Sequence, residues 1–345
     1  MNKLLVTALT AVLLVAGAAG FALWQVQRYM AAPVQVPVDG TTFEIVPGSS
    51  FSSVTGDLVD AGIIDDDTWL RVYARWTGEE GAIQAGEYRL EPGATPRTIL
   101  EQFTRGAVQL HSFTIVEGWN HRDLLAALHA HDMIDASMTG EDWPALLAAL
   151  GATHAHPEGL FLPETYRFPR GTTDRELLTQ AYELMRSVLA EEWAARGSDT
   201  PVKTPYEALV LASIVEKETA RADERARIAG VFARRMDKRM RLQTDPTVIY
   251  GIGADFDGNL TRKHLLTDTP YNTYTRHGLP PTPIAMPGRD AIRAVLHPAA
   301  GNELYFVATG LGDGSHKFSA TMAEHDAAVA EYLRRLRQIP LALAP

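Results

Sequence analysis

Two glutamates with a lysine between them, Glu216, Lys217 and Glu218, follow an apolar stretch in the sequence LASIVEKETA. Burial disfavours the charged form of a carboxyl group, so a buried carboxyl can stay protonated near neutral pH and act as a general acid. At helical spacing Glu218 shares a face with Leu211 and Ile214, whereas Glu216 lies about 200° away. The pattern therefore predicts Glu218 as a candidate acid and Glu216 as a structural residue. On these residues alone a second interpretation stays open, in which the helix emerges into solvent and both glutamates are surface groups.

The helix that carries these glutamates has a well-specified start. Thr204, Pro205 and Glu207 match a capping box with proline at the first helical position. Between Ala208 and Val215 only a serine is polar, which predicts a helix surrounded by protein on most sides.

Other common catalytic patterns are absent from the sequence. There is no GxSxG, HExxH, Walker or GxGxxG motif. His154, His156 and Glu158 in the segment HAHPE suggest a metal cluster, but two such histidines in a proline-bearing loop are more typical of surface polar groups. We expect His316 and His325 to be hydrogen-bonded structural groups or substrate contacts. Accordingly, no metal site is predicted.

Composition limits the class of protein. The 345-residue chain has a net charge of −10, which argues against nucleic acid as a partner because duplex binding relies on Lys and Arg. It has no Cys, so disulfides, thiolate nucleophiles and Cys-ligated zinc are excluded. Its length favours two or three domains.

The first thirty residues predict a membrane anchor. The run from Leu4 to Trp24 has no charged residue and is about as long as a bilayer core requires. Lys3 precedes it and Arg28 follows it, so the positive-inside rule favours an N-terminus in the cytoplasm and everything after Met30 outside. A cleaved signal peptide is the alternative, because AGAAG offers small residues at a possible cleavage site.

The remaining chain divides by pattern into a linker, a small module and a larger domain. A strand from Phe43, two helices and a strand at Gly86–Leu90 predict a compact unit, with aspartates 65–67 capping its second helix. The stretch from Gln243 to Gly288 is long and irregular, which is typical of a functional loop system. The predicted boundaries are 1–30 for the cytoplasmic N-terminus and transmembrane anchor, 31–40 for the linker, 41–110 for the small subdomain and 111–345 for the catalytic domain.

The motifs from Leu211 onward, read in order, closely resemble those of the endolytic murein transglycosylases, the YceG-like family. They are LASIVEKETA, RLQTDPTVIYG, PYNTY, GLPPTPIAMPG, HP, LYFVATG and HKFS with EH, preceded by EGLFLPETYRF. The resemblance implies an α+β fold with an N-terminal transmembrane helix, a small LysM-like α/β subdomain and a lysozyme-like catalytic domain. It covers the chain from about Phe43 to the C-terminus.

The resemblance also implies an activity. Such enzymes cleave nascent peptidoglycan glycan strands internally, between MurNAc and GlcNAc, and leave 1,6-anhydroMurNAc ends, which terminates strand elongation. They need no metal or cofactor. The implied location is the bacterial inner membrane, with a single span and a periplasmic catalytic domain, and peptidoglycan synthases are implied partners.

Site residues follow from the matched motifs. Glu218 would be the catalytic group, since Glu218 and Thr219 look like the Glu-Ser pair of other lytic transglycosylases. The residues expected to bind N-acetyl sugars are Gln243, Thr244, Asp245, Tyr271, Asn272 and Tyr274. The alternative is that Asp245 and Asn272 cap turns. Two other functions remain open: a non-catalytic peptidoglycan-binding scaffold, and a muramidase-type hydrolase that uses Asp245 as a second carboxylate.

Overall fold

The computed structural model describes residues 3–338, and side chains from residue 7 onward. The chain has mixed helix and strand content and begins with a long apolar helix. It divides into two compact units, each described separately below. The first comprises residues 1–111 together with 167–171, and the second comprises 112–166 and 172–345. The predicted boundaries did not anticipate that residues 167–171 belong to the first unit.

The first unit contains the N-terminal helix and a two-stranded antiparallel sheet flanked by helices. Its elements are α1 (Lys3–Ala31), β1 (Thr41–Ile45), α2 (Phe51–Asp60), α3 (Thr68–Thr77), β2 (Gly86–Leu90) and α4 (Pro96–Arg105). Phe43 in β1 lies opposite Tyr88 in β2, and both rings contact Phe103 of α4. These three aromatic side chains are buried, so they form the centre of the core of this unit.

The apolar N-terminal helix is longer than the predicted run. One helix of the described chain, Thr7–Ala31, is long and apolar enough to cross a membrane, by length and composition. Its last two turns bury Val26 and Met30 in the core of the first unit. The positively charged N-terminus used to predict its orientation lies among residues 1–6, whose side chains are outside the described part of the chain.

The segment predicted as a linker is part of the first unit. The backbone N–H of Val34 donates to the carbonyl of Ala94, and that of Gln35 donates to the carbonyl of Ile63. Val34 and Val36 pack against the core. The sequence predicts a short extended linker here, and apolar side chains at alternating positions attach this segment to the module.

The aspartates before α3 act differently from the expectation. Asp67 occupies the N-cap position but makes no side-chain cap, while the Asp66 carboxylate accepts a hydrogen bond from the N–H of Thr68 at 2.9 Å. Asp67 instead accepts a hydrogen bond from the Thr55 hydroxyl of α2 at 2.8 Å. The cluster thus caps α3 with one residue and ties it to α2 with another.

The second unit is mainly helical. The strands β3 (Leu110–Thr114) and β5 (Thr165–Pro169) each have residues in both units. The other elements of the second unit are α5 (His121–His129), β4 (Ile134–Asp135), α6 (Trp143–Ala149), β6 (Thr172–Thr173), α7 (Asp174–Ala194), α8 (Pro205–Glu218), α9 (Arg225–Asp237), α10 (Asp245–Ile252), α11 (Arg262–Leu266), α12 (Arg289–Leu296), β7 (Tyr305–Ala308), β8 (His316–Ser319) and α13 (Met322–Leu336). β4 pairs in parallel with β6, and β7 and β8 form the predicted antiparallel hairpin.

Helix α8 lies at the centre of the second unit. All eight residues from Ala208 to Val215 are buried, and α7, α9, α10 and α12 contact the helix. The Thr204 hydroxyl accepts the N–H of Glu207 at 3.1 Å, as the capping box predicts. The reciprocal bond is absent, since the Glu207 carboxylate accepts the N–H of Lys203 instead. The buried character of the helix is therefore confirmed, and its cap is half of the predicted one.

The region from Gln243 to Gly288 was predicted as irregular but contains the helices α10 and α11. Both helices are short, with eight and five residues. Pro246 in the first turn and Gly253 at the C-cap limit α10 to about two turns. Hydrophobic periodicity cannot be detected over such short segments.

Candidate active site

Glu218 is the last residue of α8. After it the chain turns into an extended conformation at Thr219. The C-terminal end of a helix carries partial negative charge, which disfavours a carboxylate placed there. The helix therefore delivers this carboxyl group to a position where the protonated form is favoured.

The surroundings of Glu218 raise its pKa to about 7, chiefly because burial disfavours the charged form. The Thr244 hydroxyl donates a hydrogen bond to the carboxyl group and opposes the rise, while the nearby Asp245 carboxylate adds to it. The neighbouring His316 and Arg235 side chains lower the pKa of Glu218 by smaller amounts. The expectation of a raised pKa is confirmed, and the group is poised to give and take a proton near neutral pH.

The two residues directly before α10, Gln243 and Thr244, have an unusual local geometry. Thr244 is the N-cap residue of α10, yet its hydroxyl points to Glu218 and caps nothing. Gln243 has a φ of 49°, in the left-handed region that non-glycine residues rarely adopt. Backbone bonds from Gln243 and Thr244 to Thr273 keep this conformation in place. Such local strain is typical of functional sites.

Glu218 opens onto a cavity of about 540 Å³ within the second unit. Of the predicted sugar-binding residues, Gln243, Thr244, Asp245 and Tyr274 line it. The Tyr274 hydroxyl donates to the Asp245 carboxylate at 2.6 Å. Hydroxyl, amide, carboxyl and aromatic groups thus converge on one acidic group.

Tyr271 and Asn272 do not line this cavity. The Tyr271 hydroxyl pairs with the Thr282 hydroxyl at 2.9 Å. Asn272 is buried, its amide nitrogen donates to three backbone carbonyls of residues 264–267, and its carbonyl accepts the N–H of Tyr274. The structure therefore gives Asn272 the turn-capping position that was the alternative expectation.

Sequence reasoning missed part of the cavity wall. Arg235 lines the cavity and comes from α9, a helix that no pattern predicted. Its guanidinium donates to the carbonyls of Leu304 and Leu242 and stacks on the Tyr305 ring. Burial lowers the pKa of its guanidinium. The available signal was the motif LYFVATG, which contributes Tyr305 and its neighbours to the wall.

The two histidines singled out from the sequence both line the cavity. The buried Glu224 carboxylate accepts the backbone N–H of His316 at 3.0 Å and contacts its Nδ1 at 2.7 Å. His325 stacks on Tyr305, with ring centroids 5.2 Å apart, and burial lowers its pKa. His316 is therefore a hydrogen-bonded group as expected, whereas the buried Nδ1 of His325 has no hydrogen-bond partner among the described residues.

Glu216 lies on a different side of α8. Its side chain is 5% exposed and pairs with Arg225 at 3.3 Å, and it accepts the backbone N–H of Gly288 at 2.9 Å. The Ser213 hydroxyl, on the same side, accepts the N–H of Ile284. This side of α8 therefore anchors the 284–288 segment.

In the HAHPE segment, Glu158 is held by hydrogen bonds within the protein. Glu158 is completely buried, and its carboxylate accepts hydrogen bonds from the backbone N–H of His121 and the Tyr250 hydroxyl while contacting the His121 ring at 2.7 Å. Burial lowers the pKa of His156. Within the described residues no group of three His, Asp or Glu side chains has the geometry to bind a metal ion.

A buried carboxyl group with a raised pKa, beside a cavity of hydroxyl, amide and aromatic groups, meets the requirements of general acid–base catalysis. The family model described as the YceG-like family matches residues 43–331. The chain belongs to this family.

Relatives and a solved structure cover the same region. An endolytic murein transglycosylase of Bacillus subtilis (strain 168) is 31% identical over 306 residues, which is 84% of this chain and 84% of the relative. One of Streptococcus pneumoniae serotype 2 (strain D39) is 27% identical over 86% of this chain and 60% of the relative. The crystal structure of a YceG-like protein from Listeria monocytogenes aligns with a TM-score of 0.52 at 28% identity, over 84% of this chain and 99% of that one.

Proposed function

We propose that this protein is a peptidoglycan lytic transglycosylase in which Glu218 is the single acid–base group. The observation that carries the proposal is the carboxyl group of Glu218, with a pKa of about 7, at the wall of a cavity lined by Thr244, Asp245 and Tyr274. Family membership and the names of two relatives, endolytic murein transglycosylases, support the substrate and the reaction class.

In the proposed reaction Glu218 first donates its proton to the glycosidic oxygen between MurNAc and GlcNAc. The C1–O bond breaks, the GlcNAc leaves as a neutral alcohol, and the acetamido group of the muramyl residue stabilises the positive charge at C1. The Glu218 carboxylate then takes the proton of the C6 hydroxyl while O6 bonds to C1. The 1,6-anhydroMurNAc end forms, Glu218 is protonated again, and no water is consumed. A pKa near 7 suits both steps, because one group must donate and then accept.

The groups around Glu218 have defined parts in this scheme. The Thr244 hydroxyl orients the carboxyl group, and the Asp245 charge favours its protonated state. Gln243 and Tyr274 supply an amide and an aromatic face for N-acetyl sugars. Tyr271 and Asn272 stabilise the loop of residues 264–282 through their hydrogen bonds and do not contact sugar.

The remaining organisation is proposed on the same basis. The apolar helix α1 anchors the chain in the bacterial inner membrane with its N-terminus in the cytoplasm, and the catalytic unit faces the periplasm. The strand–helix–helix–strand order of residues 41–90 supports a LysM-like glycan-binding module, and the buried α8 with its terminal glutamate supports a lysozyme-like catalytic unit. Cleavage of nascent strands beside peptidoglycan synthases would terminate their elongation.

Product analysis tests the proposal. The full-length protein in detergent is incubated with uncrosslinked glycan strands, with Glu218→Gln as the matched inactive variant, and products are identified by mass. Anhydro ends from the wild type that disappear in Glu218→Gln are expected. Reducing ends would identify a muramidase-type hydrolase, which the presence of the Asp245 carboxylate on the same cavity favours as second candidate. Binding without cleavage would identify a scaffold.

A further inference from the structure

A second cavity, of about 570 Å³, lies in the second unit next to the one at Glu218. Its lining includes Lys217 and Pro246, the immediate chain neighbours of Glu218 and Asp245. The end of α8 and the start of α10 therefore separate the two cavities. We call the second cavity the far subsite.

Two exposed cations, Lys217 and Arg122, line the far subsite. The Lys217 side chain passes 3.6 Å from where a Cβ of Gly118 would lie, and its Nζ donates to the Gly118 carbonyl at 3.2 Å. The Arg122 guanidinium lies 3.3 Å from the corresponding point at Gly253. Both glycines have positive φ, +81° and +71°, so any other residue there would be strained, and at Gly253 a Cβ would also crowd the Arg122 guanidinium.

These two charges have no carboxylate partner. Among the described residues, neither Lys217 nor Arg122 forms an ion pair within 4.0 Å. Asp123 is the one carboxylate that lines the far subsite, and it accepts the N–H of Asn120, the N-cap residue of α5, at 3.0 Å as part of a capping box. In a chain of net charge −10, two unpaired cations on one cavity favour an anionic ligand.

The rest of the wall is apolar and aromatic. Ile249, Tyr250 and Phe256 line it together with Pro246. The Tyr250 hydroxyl donates to the buried Glu158 at 2.9 Å, which fixes the orientation of its ring. Such a wall suits the face of a sugar or the alkyl part of a peptide, with charged groups at its edge.

We propose that the far subsite binds the muropeptide unit adjacent to the cleaved bond, and that Arg122 and Lys217 pair with the carboxylates of its stem peptide. The inference rests on the proposed function. Internal cleavage requires polymer on both sides of the cut, and the two adjacent cavities, one at Glu218 and the far subsite, offer room for both sides. Stem peptides carry free carboxylates away from the sugar ring, whereas a strand stripped of its peptides keeps only the lactyl carboxylate of each MurNAc.

The test compares two preparations of the same uncrosslinked strands, one with stem peptides and one stripped of them by an amidase. Full-length wild type in detergent is compared with the double variant Arg122→Gln/Lys217→Gln. We expect KM for peptide-bearing strands to rise about tenfold with kcat unchanged, and KM for stripped strands, which keep only the lactyl carboxylate, to rise by less than about twofold. The rise should shrink at high salt, since exposed charges are screened.

Two further variants serve as controls for the loss of charge. Arg186→Gln/Lys238→Gln removes the same number of exposed charges from α7 and from the C-cap of α9, away from both cavities, and should leave both KM values unchanged. Arg122→Lys should retain most of the affinity because it keeps the charge. Equal losses on both preparations, or no loss on either, would overturn the proposal.

Failure of the proposed function is distinguishable. If the wild type cleaves neither preparation, the transglycosylase assignment fails. Sedimentation of the protein with the two strand preparations then still tests the subsite. Preferential binding of peptide-bearing strands that the double variant loses would support the far subsite, and equal binding would reject it.

Discussion

Glu216 and Glu218 occupy the same helix end, two residues apart, in different surroundings. Burial raises the pKa of both. For Glu216 the Gly288 N–H and the Arg225 guanidinium oppose the rise, although the Glu117 carboxylate adds to it. Glu218 receives one hydroxyl hydrogen bond, from Thr244, and a carboxylate neighbour adds to its rise.

The comparison teaches that burial alone does not define an acid catalyst. A buried carboxyl with a guanidinium and a backbone N–H is a structural anchor, here for the 284–288 segment. A buried carboxyl without a cation in direct contact, open to a cavity, is available for proton transfer. The predictions below test this contrast.

The largest expected effect separates the two glutamates by activity. Glu218→Gln should lower kcat by about 10²–10⁴-fold, because the amide can neither donate nor accept the proton. Glu216→Gln should retain most activity in the same strand-cleavage assay, since its side chain lies outside the cavity. Comparable losses in the two variants would reject the division of roles.

The next effect concerns stability. Arg225→Met leaves Glu216 as an unpaired buried charge and should lower the free energy of unfolding by about 3–5 kcal/mol, measured by denaturant titration. Arg276→Gln, which breaks the exposed pair with Asp268, is the control and should cost at most about 1 kcal/mol. Equal small costs would show that Glu216 is not anchored by its pair.

Glu218 should make the fold less stable as pH rises. Its folded pKa of about 7 exceeds the usual carboxyl value, so between about 4.5 and 7 the unfolded chain releases a proton that the folded protein keeps. Relative to Glu218→Gln, the wild type should lose on the order of 3 kcal/mol across this range. Parallel stability curves for the two proteins from pH 4 to 8 would contradict the raised pKa.

A smaller effect tests the neighbour of Glu218. Activity should fall as pH rises through about 7, when Glu218 loses its proton. Asp245→Asn removes a charge that raises this pKa, so the fall in kcat/KM should move to lower pH while activity at the optimum persists. Loss of activity at every pH would instead identify Asp245 as a catalytic carboxylate.

The smallest effect comes from two tyrosines three residues apart. Tyr274→Phe removes the hydroxyl that donates to Asp245 in the cavity and should raise KM several-fold. Tyr271→Phe removes a hydroxyl bound to Thr282 outside the cavity and should lower stability by about 1 kcal/mol with unchanged kinetics. The reverse outcome would place the sugar on the Tyr271 side of the loop.

Long, patterned elements were predictable from the sequence. They are the apolar N-terminal helix, the buried helix α8 and the β7–β8 hairpin, whose residue patterns or capping residues indicate the structure from local sequence alone. Helices α10 and α11 were not predicted, because one or two turns do not establish a period. The association of residues 34–36 with the small unit also required contacts distant in sequence.

The candidate site was predictable in part for a related reason. Spacing along α8 placed Glu216 and Glu218 on different sides, and the motifs named Thr244, Asp245 and Tyr274. Spacing could not tell Tyr274 from Tyr271, since both lie in a loop where no period determines direction. Nor could it reveal Arg235, which approaches the cavity from another helix.

The sequence by itself determined that an apolar helix ends in a carboxyl group and that a membrane-length helix precedes the folded units. Only the tertiary structure decided which partners each carboxyl meets: Arg225 for Glu216, and Thr244 with Asp245 for Glu218. The physical reason is that a pKa depends on burial and on charges within a few ångströms, and most of these neighbours come from distant parts of the chain.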